Sequence, residues 1–114
     1  MRATLALPVL LCAALPAWGK TDIIQTQYLC ERDVLIPVVY VNDGEGGGQA
    51  ILVAEGQQVM LGRAVSGSGA RYAAPEGVSG YTWWSKGDTA MLGWFDADIG
   101  EEVTLFAHCL ESGD

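Results

Sequence analysis

Two short segments of this 114-residue chain hold the groups best suited to chemistry at a surface. Ser66-Gly67-Ser68-Gly69-Ala70-Arg71-Tyr72 sets hydroxyls among small residues, so the backbone there can come close to a partner. Trp83-Trp84-Ser85-Lys86-Gly87-Asp88 sets one ammonium behind two aromatics at a hairpin tip, in a chain with 6 Lys+Arg against 14 Asp+Glu. Such groups are suited to docking. The plainer reading makes Ser68 a turn former and Lys86 an ordinary tip charge, and spacing alone favours it.

An enzyme needs reacting groups in a workable constellation, and none is apparent. His108 is the single histidine, beside Cys109 in a strand-like segment, and reads as filling a face of a sheet. No Ser-His-Asp pattern with a nucleophile elbow occurs. Gly44-Glu45-Gly46-Gly47-Gly48 lacks the Lys and Ser/Thr of a phosphate-binding loop. Asp96, Asp98, Glu101 and Glu102 do not have the spacing of an EF-hand and read as a solvated acidic face. Two cysteines and His108 fall short of a closed zinc site, so neither metal nor cofactor is expected.

The elements that must position the two segments are strands. Val34 to Val41 is β-branched and aromatic and ends at Asn42-Asp43-Gly44, a turn signal. Gln49 to Ala54 and Gln57 to Leu61 flank Glu55-Gly56, a tight hairpin by composition. Ala70 to Ala73, Tyr81 to Ser85, Thr89 to Trp94 and Glu102 to Leu110 complete the series. In the last, Val103, Leu105 and Ala107 are expected to face one way, and Thr104, Phe106 and His108 the other. Trp83 and Trp84 likewise point to opposite faces, one into the core and one to the surface or an interface. Seven or eight short strands, with no helical stripe, predict an all-β antiparallel meander closed into a barrel, with a sandwich as the alternative. Fifteen glycines and ten aromatics in a chain that is 18% charged suit such a turn-rich domain.

Met1-Arg2 followed by the apolar run Ala3 to Trp18 has the layout of a signal peptide, with cleavage expected after Gly19. Cys12 sits in that run behind Leu11, where a lipobox requires a small residue, so a lipid anchor is not expected. Residues 20–114 then form one exported domain. Removing Arg2 leaves five bases against fourteen acids, a net charge of −9. Such acidity excludes nucleic acid and anionic membrane surfaces as partners and favours a basic protein. Cys30 and Cys109 remain, one near each end, and in an oxidising compartment read as one disulfide.

The chain resembles the family of periplasmic and membrane-bound inhibitors of c-type lysozyme. Tyr28-Leu29-Cys30, Val39-Tyr40-Val41-Asn42-Asp43, the SGARY stretch at 68–72, WWSKGD at 83–88 and Cys109 carry the resemblance, in order, across nearly the whole mature domain. It implies a small eight-stranded antiparallel β-barrel closed by one disulfide. It further implies a periplasmic protein whose Ser68 and Lys86 loops enter the cleft of a c-type lysozyme. The partner-binding set so carried over is Ser68, Gly69, Arg71, Tyr72, Lys86 and Gly87, with Arg71 and Tyr72 ranked as loop supports ahead of direct contacts. Lysozyme works with two carboxylates across the glycosidic bond. A lysine ammonium can pair with one and a serine hydroxyl can hydrogen-bond the other.

The segments 44–48 and 73–82 look longer than the family pattern and are expected to affect which lysozymes fit. The soluble periplasmic members are the nearer match, as monomer or as a homodimer through Trp94, Phe95 and the two longer segments. A small-ligand-binding barrel of the cell envelope and an enzyme acting on envelope glycans are the rival readings.

Overall fold

The computed structural model describes residues 21–112. The expected leader at 1–19 and its cleavage site lie outside the described residues. Eight strands follow one another: β1 (Asp22–Leu29), β2 (Leu35–Asn42), β3 (Gly48–Ala54), β4 (Gln57–Ala64), β5 (Ala70–Ala73), β6 (Gly80–Lys86), β7 (Thr89–Asp96) and β8 (Glu101–Glu111). A 3-10 turn at Glu31–Asp33 joins the first two. Each strand pairs antiparallel with the next, and β1 meets β8, so the sheet is a closed barrel and the sandwich alternative is excluded. Closure removes the free edges that an open sheet of this size would expose.

The turns follow local chemistry. Glu55 and Gly56 both hold positive φ, 52° and 80°, which a two-residue hairpin with the right-handed strand twist requires. Asp96 closes the β7–β8 turn: its carbonyl accepts the Gly100 N–H at 2.8 Å and its Oδ1 the Asp98 N–H at 2.9 Å. Two of the four candidate carboxylates at 96–102 are thereby turn residues.

Alternate residues of the strands fill the interior. Trp83, Leu92, Ile36, Val38 and Leu52 are fully buried, and Tyr28 stacks edge-on to Trp83 with centroids 5.1 Å apart. The polar ends of these aromatics meet one another: the Trp83 Nε1–H donates to the Tyr40 hydroxyl at 2.8 Å, and the Tyr28 and Tyr40 hydroxyls pair at 2.8 Å. Buried polar groups left unpaired would each be costly, so this triad lets three large aromatics occupy one core. Among the described residues these side chains occupy the centre of the barrel.

The expected alternation in β8 fails. Phe106 and Cys109, three apart, both face inward, and the β7–β8 register slips between Ala90 and Leu92 and again between Leu92 and Gly93. Such irregularities place an extra residue in one strand and leave backbone groups without ladder partners. Glu31 supplies a substitute: its Oε2 accepts the Ala107 N–H at 2.9 Å. The nearby backbone N–H groups, first of Glu31 itself and then of His108 and Ala107, hold the Glu31 carboxyl below its ordinary range against the opposing effect of burial.

Barrel closure is short. β1 meets β8 at Tyr28–Glu111 and Leu29–Leu110, whereas it pairs with β2 along its whole length. The Cys30–Cys109 disulfide lies directly beside that seam.

Candidate functional site

Successive connections of a meander alternate between the ends of a barrel. The loop at 43–47, the loop at 65–69 and the hairpin tip Gly87-Asp88 therefore open at one end, and 55–56, 74–79 and 97–100 at the other. Both sequence segments singled out above thus lie at one end. They also lie on neighbouring strands, because Ala70 pairs with Ser85 and Arg71 with Trp84. Of the two long segments, 44–48 lies at this end, where Gly46 and Gly47 share a groove of about 380 Å³ with Arg63, Val65, Ser66 and Gly69. The segment at 73–82 is centred on the opposite end, away from the Ser68 and Lys86 loops.

The Ser68 loop is held by its own polar groups and by the next hairpin. The Ser66 hydroxyl donates to the carbonyls of Ser68 at 3.1 Å and Gly69 at 3.2 Å. The Trp84 indole N–H donates to the Ser68 carbonyl at 2.8 Å. Gly69 has φ +66°, and a Cβ there would collide with the Ser85 carbonyl oxygen and stand 2.5 Å from Lys86 Cγ. Only glycine fits this left-handed, tightly packed position. Ser68 itself is exposed.

Lys86 ends β6, and Gly87, with φ 61°, takes the first place of the two-residue tip. The Thr89 hydroxyl closes the turn by donating to the Lys86 carbonyl at 3.0 Å, and the Glu111 N–H donates to the Asp88 carbonyl at 2.8 Å. The exposed Lys86 ammonium lies 4.6 Å from the centre of the Trp84 ring. Among the described residues the one ion pair is Arg71–Glu102, so this ammonium has no carboxylate partner. A groove of about 430 Å³ lined by Trp84, Lys86, Met91, His108 and Leu110 runs beside the hairpin. His108 is thus an exposed outer-face residue.

Arg71 and Tyr72 take supporting places. Tyr72 is 3% exposed, its ring lies 5.6 Å from that of Tyr40, and burial pushes its hydroxyl pKa up against an opposing pull from Arg63. Arg71 reaches sideways to Glu102 Oε1 at 3.0 Å, and Glu102 Oε2 accepts the Thr82 hydroxyl at 2.7 Å. This strap runs from β5 over β6 and β7 to β8. It crosses Gly93, where a Cβ would stand 2.8 Å from Thr82 Oγ1 and 2.9 Å from Glu102 Oε2. Reading the sequence alone placed Glu102 on a solvated face and missed this role, as well as those of Ser66 and Gly93. No spacing rule links positions 71 and 102, whereas Trp84's outward place follows from strand alternation beside buried Trp83.

The family described as membrane-bound lysozyme-inhibitor of c-type lysozyme matches residues 28–101. A membrane-bound lysozyme inhibitor of C-type lysozyme from Pseudomonas aeruginosa is 34% identical over 79 residues, 69% of this chain; the chain spans 59% of that relative's length. Among solved structures, Pseudomonas aeruginosa MliC in complex with hen egg white lysozyme aligns at TM-score 0.60 and 30% identity, over 94% of this chain and 100% of that one. PliC-St, a periplasmic lysozyme inhibitor of C-type lysozyme from Salmonella typhimurium, aligns at TM-score 0.61 and 26% identity, over 81% and 100%.

Proposed function

Because the chain belongs to the family of membrane-bound lysozyme-inhibitors of c-type lysozyme, whose members are inhibitors and not enzymes, we propose that it inhibits a c-type lysozyme in the periplasm after loss of residues 1–19. The observation that carries this reading is the placement of Ser68 and Lys86 on adjacent loops at one barrel end, with the ammonium free of any internal carboxylate among the described residues. Retaining glycosidases hold their two carboxyl groups only about 5 Å apart, so a serine hydroxyl and a lysine ammonium carried on adjacent loops can reach both. Lys86 pairs with the ionised carboxylate and the Ser68 hydroxyl hydrogen-bonds the other. Neither offers a bond to cleave, so the enzyme is blocked and the cell wall is spared. Gly69 and Gly87 let the backbone approach, and Arg71, braced on Glu102, and buried Tyr72 support the Ser68 loop by anchoring β5, into which it leads.

The net charge of −9 on residues 20–114 draws in a cationic enzyme and raises the association rate. The test is lysis of bacterial cell walls by a c-type lysozyme in the presence of the mature chain, repeated across salt concentrations. Inhibition is expected, weakening with salt, and Ser68→Ala with Lys86→Ala is expected to remove most of it. Truncating one partner of a desolvated charge pair costs about 2 to 5 kcal/mol, or some thirtyfold and upward in affinity. Undiminished inhibition by the folded double variant refutes the assigned site.

A further inference from the structure

Building on the inhibitor reading, we propose that Trp84 is a positioning residue that locks the Ser68 loop and the Lys86 hairpin into one docking element before any partner arrives. A single indole serves both loops with different parts of its ring system. Its N–H donates to the Ser68 carbonyl at 2.8 Å, which fixes the backbone of the residue that offers the hydroxyl. Its face lies 4.6 Å from the Lys86 ammonium, two residues further along the same strand and therefore on the same side of the sheet. The two loops also touch directly where Gly69 lies against β6: a Cβ there would stand 3.2 Å from the indole nitrogen and 2.5 Å from Lys86 Cγ.

Each contact answers a specific weakness of the sequence. Two glycines and two serines between 66 and 69 make a loop with large conformational freedom, and a lysine side chain has four rotatable bonds. Ordering them only on binding would subtract from affinity. The hydrogen bond orders the first in the free protein, and the ring face orders the second. A cation over an exposed ring is held weakly, so the ammonium is aligned and still able to transfer to a carboxylate. The contributions of Ser68 and Lys86 are coupled as a result, since loosening one loop removes a wall from the other.

The test compares Trp84→Phe, which keeps a ring face and loses the donor, with Trp84→Leu, which loses both. Ser68→Ala, Lys86→Ala and their combination are placed in each background. In the free proteins, amide exchange at residues 66–69 is expected to speed up in both variants while the amides of Trp83 and Leu92 keep their protection. Dissociation from a c-type lysozyme is expected to quicken about tenfold for Trp84→Phe, the scale of one lost hydrogen bond, and further for Trp84→Leu. Ser68→Ala and Lys86→Ala are expected to combine non-additively with Trp84 present and additively in Trp84→Leu. Unchanged loop exchange in Trp84→Phe overturns the proposal, as does coupling that persists in Trp84→Leu, which would make Trp84 a plain partner contact. Failure of the unaltered protein to bind lysozyme would instead refute the inhibitor reading, and the exchange measurement on the free protein would still decide the role of Trp84.

Discussion

Replacing Cys30 and Cys109 together by alanine is expected to open the barrel at its weakest line. The bridge spans 79 residues of sequence, and the chain-entropy relation for a loop of that size gives about 15 cal/mol/K, or about 4.5 kcal/mol at 25 °C. Domains of this size are commonly stable by only about 5 to 15 kcal/mol, so the bridge supplies a large share of the margin. The fold offers little to replace it. β8 and β1 are held together by Tyr28–Glu111 and Leu29–Leu110, a Thr26 hydroxyl bond to Glu111 Oε2 at 2.6 Å and a Ser112 N–H bond to the Gln27 carbonyl at 2.9 Å. The consequence extends to the site, because the end of β8 that would separate also provides the Glu111 N–H that pins Asp88 in the Lys86 tip. Urea unfolding followed by tryptophan fluorescence, compared at equal slopes, measures the loss; lysozyme inhibition below the transition measures its effect on the hairpin. A stability difference under about 1 kcal/mol would show that the two-pair seam holds by strand pairing alone, and would refute the entropic argument.

Two further outcomes follow from side chains that bridge strands. Gly93→Val should push the Glu102 carboxylate off both Arg71 and Thr82, since its Cβ would stand 2.9 Å from Glu102 Oε2 and 3.0 Å from the Val103 carbonyl; a loss of about 2 to 3 kcal/mol in thermal or urea melts is expected, well above the fraction of a kcal/mol for a half-exposed ion pair. Glu31 is held ionised by backbone donors at the β8 irregularity, so it binds protons less readily folded than unfolded. Its contribution is therefore fully present above the ordinary value of 4.5 and is lost as pH falls through the lower folded value; urea midpoints should drop across that acidic window, and less so in Glu31→Gln.

Most of the barrel was legible because its strands announce themselves locally. Val34 to Val41 and Gln49 to Ala54 are β-branched runs, and Glu55-Gly56 and Gly87-Asp88 sit where their turn chemistry demands. β1 was not delimited, since Ile23-Ile24-Gln25-Thr26-Gln27 shows no alternation and its first residues are exposed on both faces. The two slips in β8 were invisible for another reason: the group that makes one of them affordable, the Glu31 carboxylate, lies 76 residues away in sequence. The site divides in the same way. The two loops stood out by composition and by the family resemblance, and alternation set Trp83 and Trp84 on opposite faces without saying which is outward, while Arg71 finds Glu102 only after four strands have been laid side by side.

On the proposed reading, acidity and recognition by one lysine pull against each other. A flexible ammonium on a body with fourteen acids has an obvious competing state, an ion pair with its own carboxylates, of which Asp88 is two residues away and Glu111 bonds to the same tip. Such a pair would leave nothing for a partner's carboxylate, and the long-range attraction of the acidic body would deliver an enzyme to a blocked site. Arg71 is already spent in this way on Glu102. Lys86 escapes because its ammonium rests on a neutral ring, which attracts a cation without neutralising it. Screening confines the conflict further: at physiological salt the field of the remote carboxylates fades over about 8 Å, whereas a contact made inside a water-poor cleft does not. The body can therefore be acidic enough to attract a basic enzyme only if the lysine that meets it is held away from its own acids.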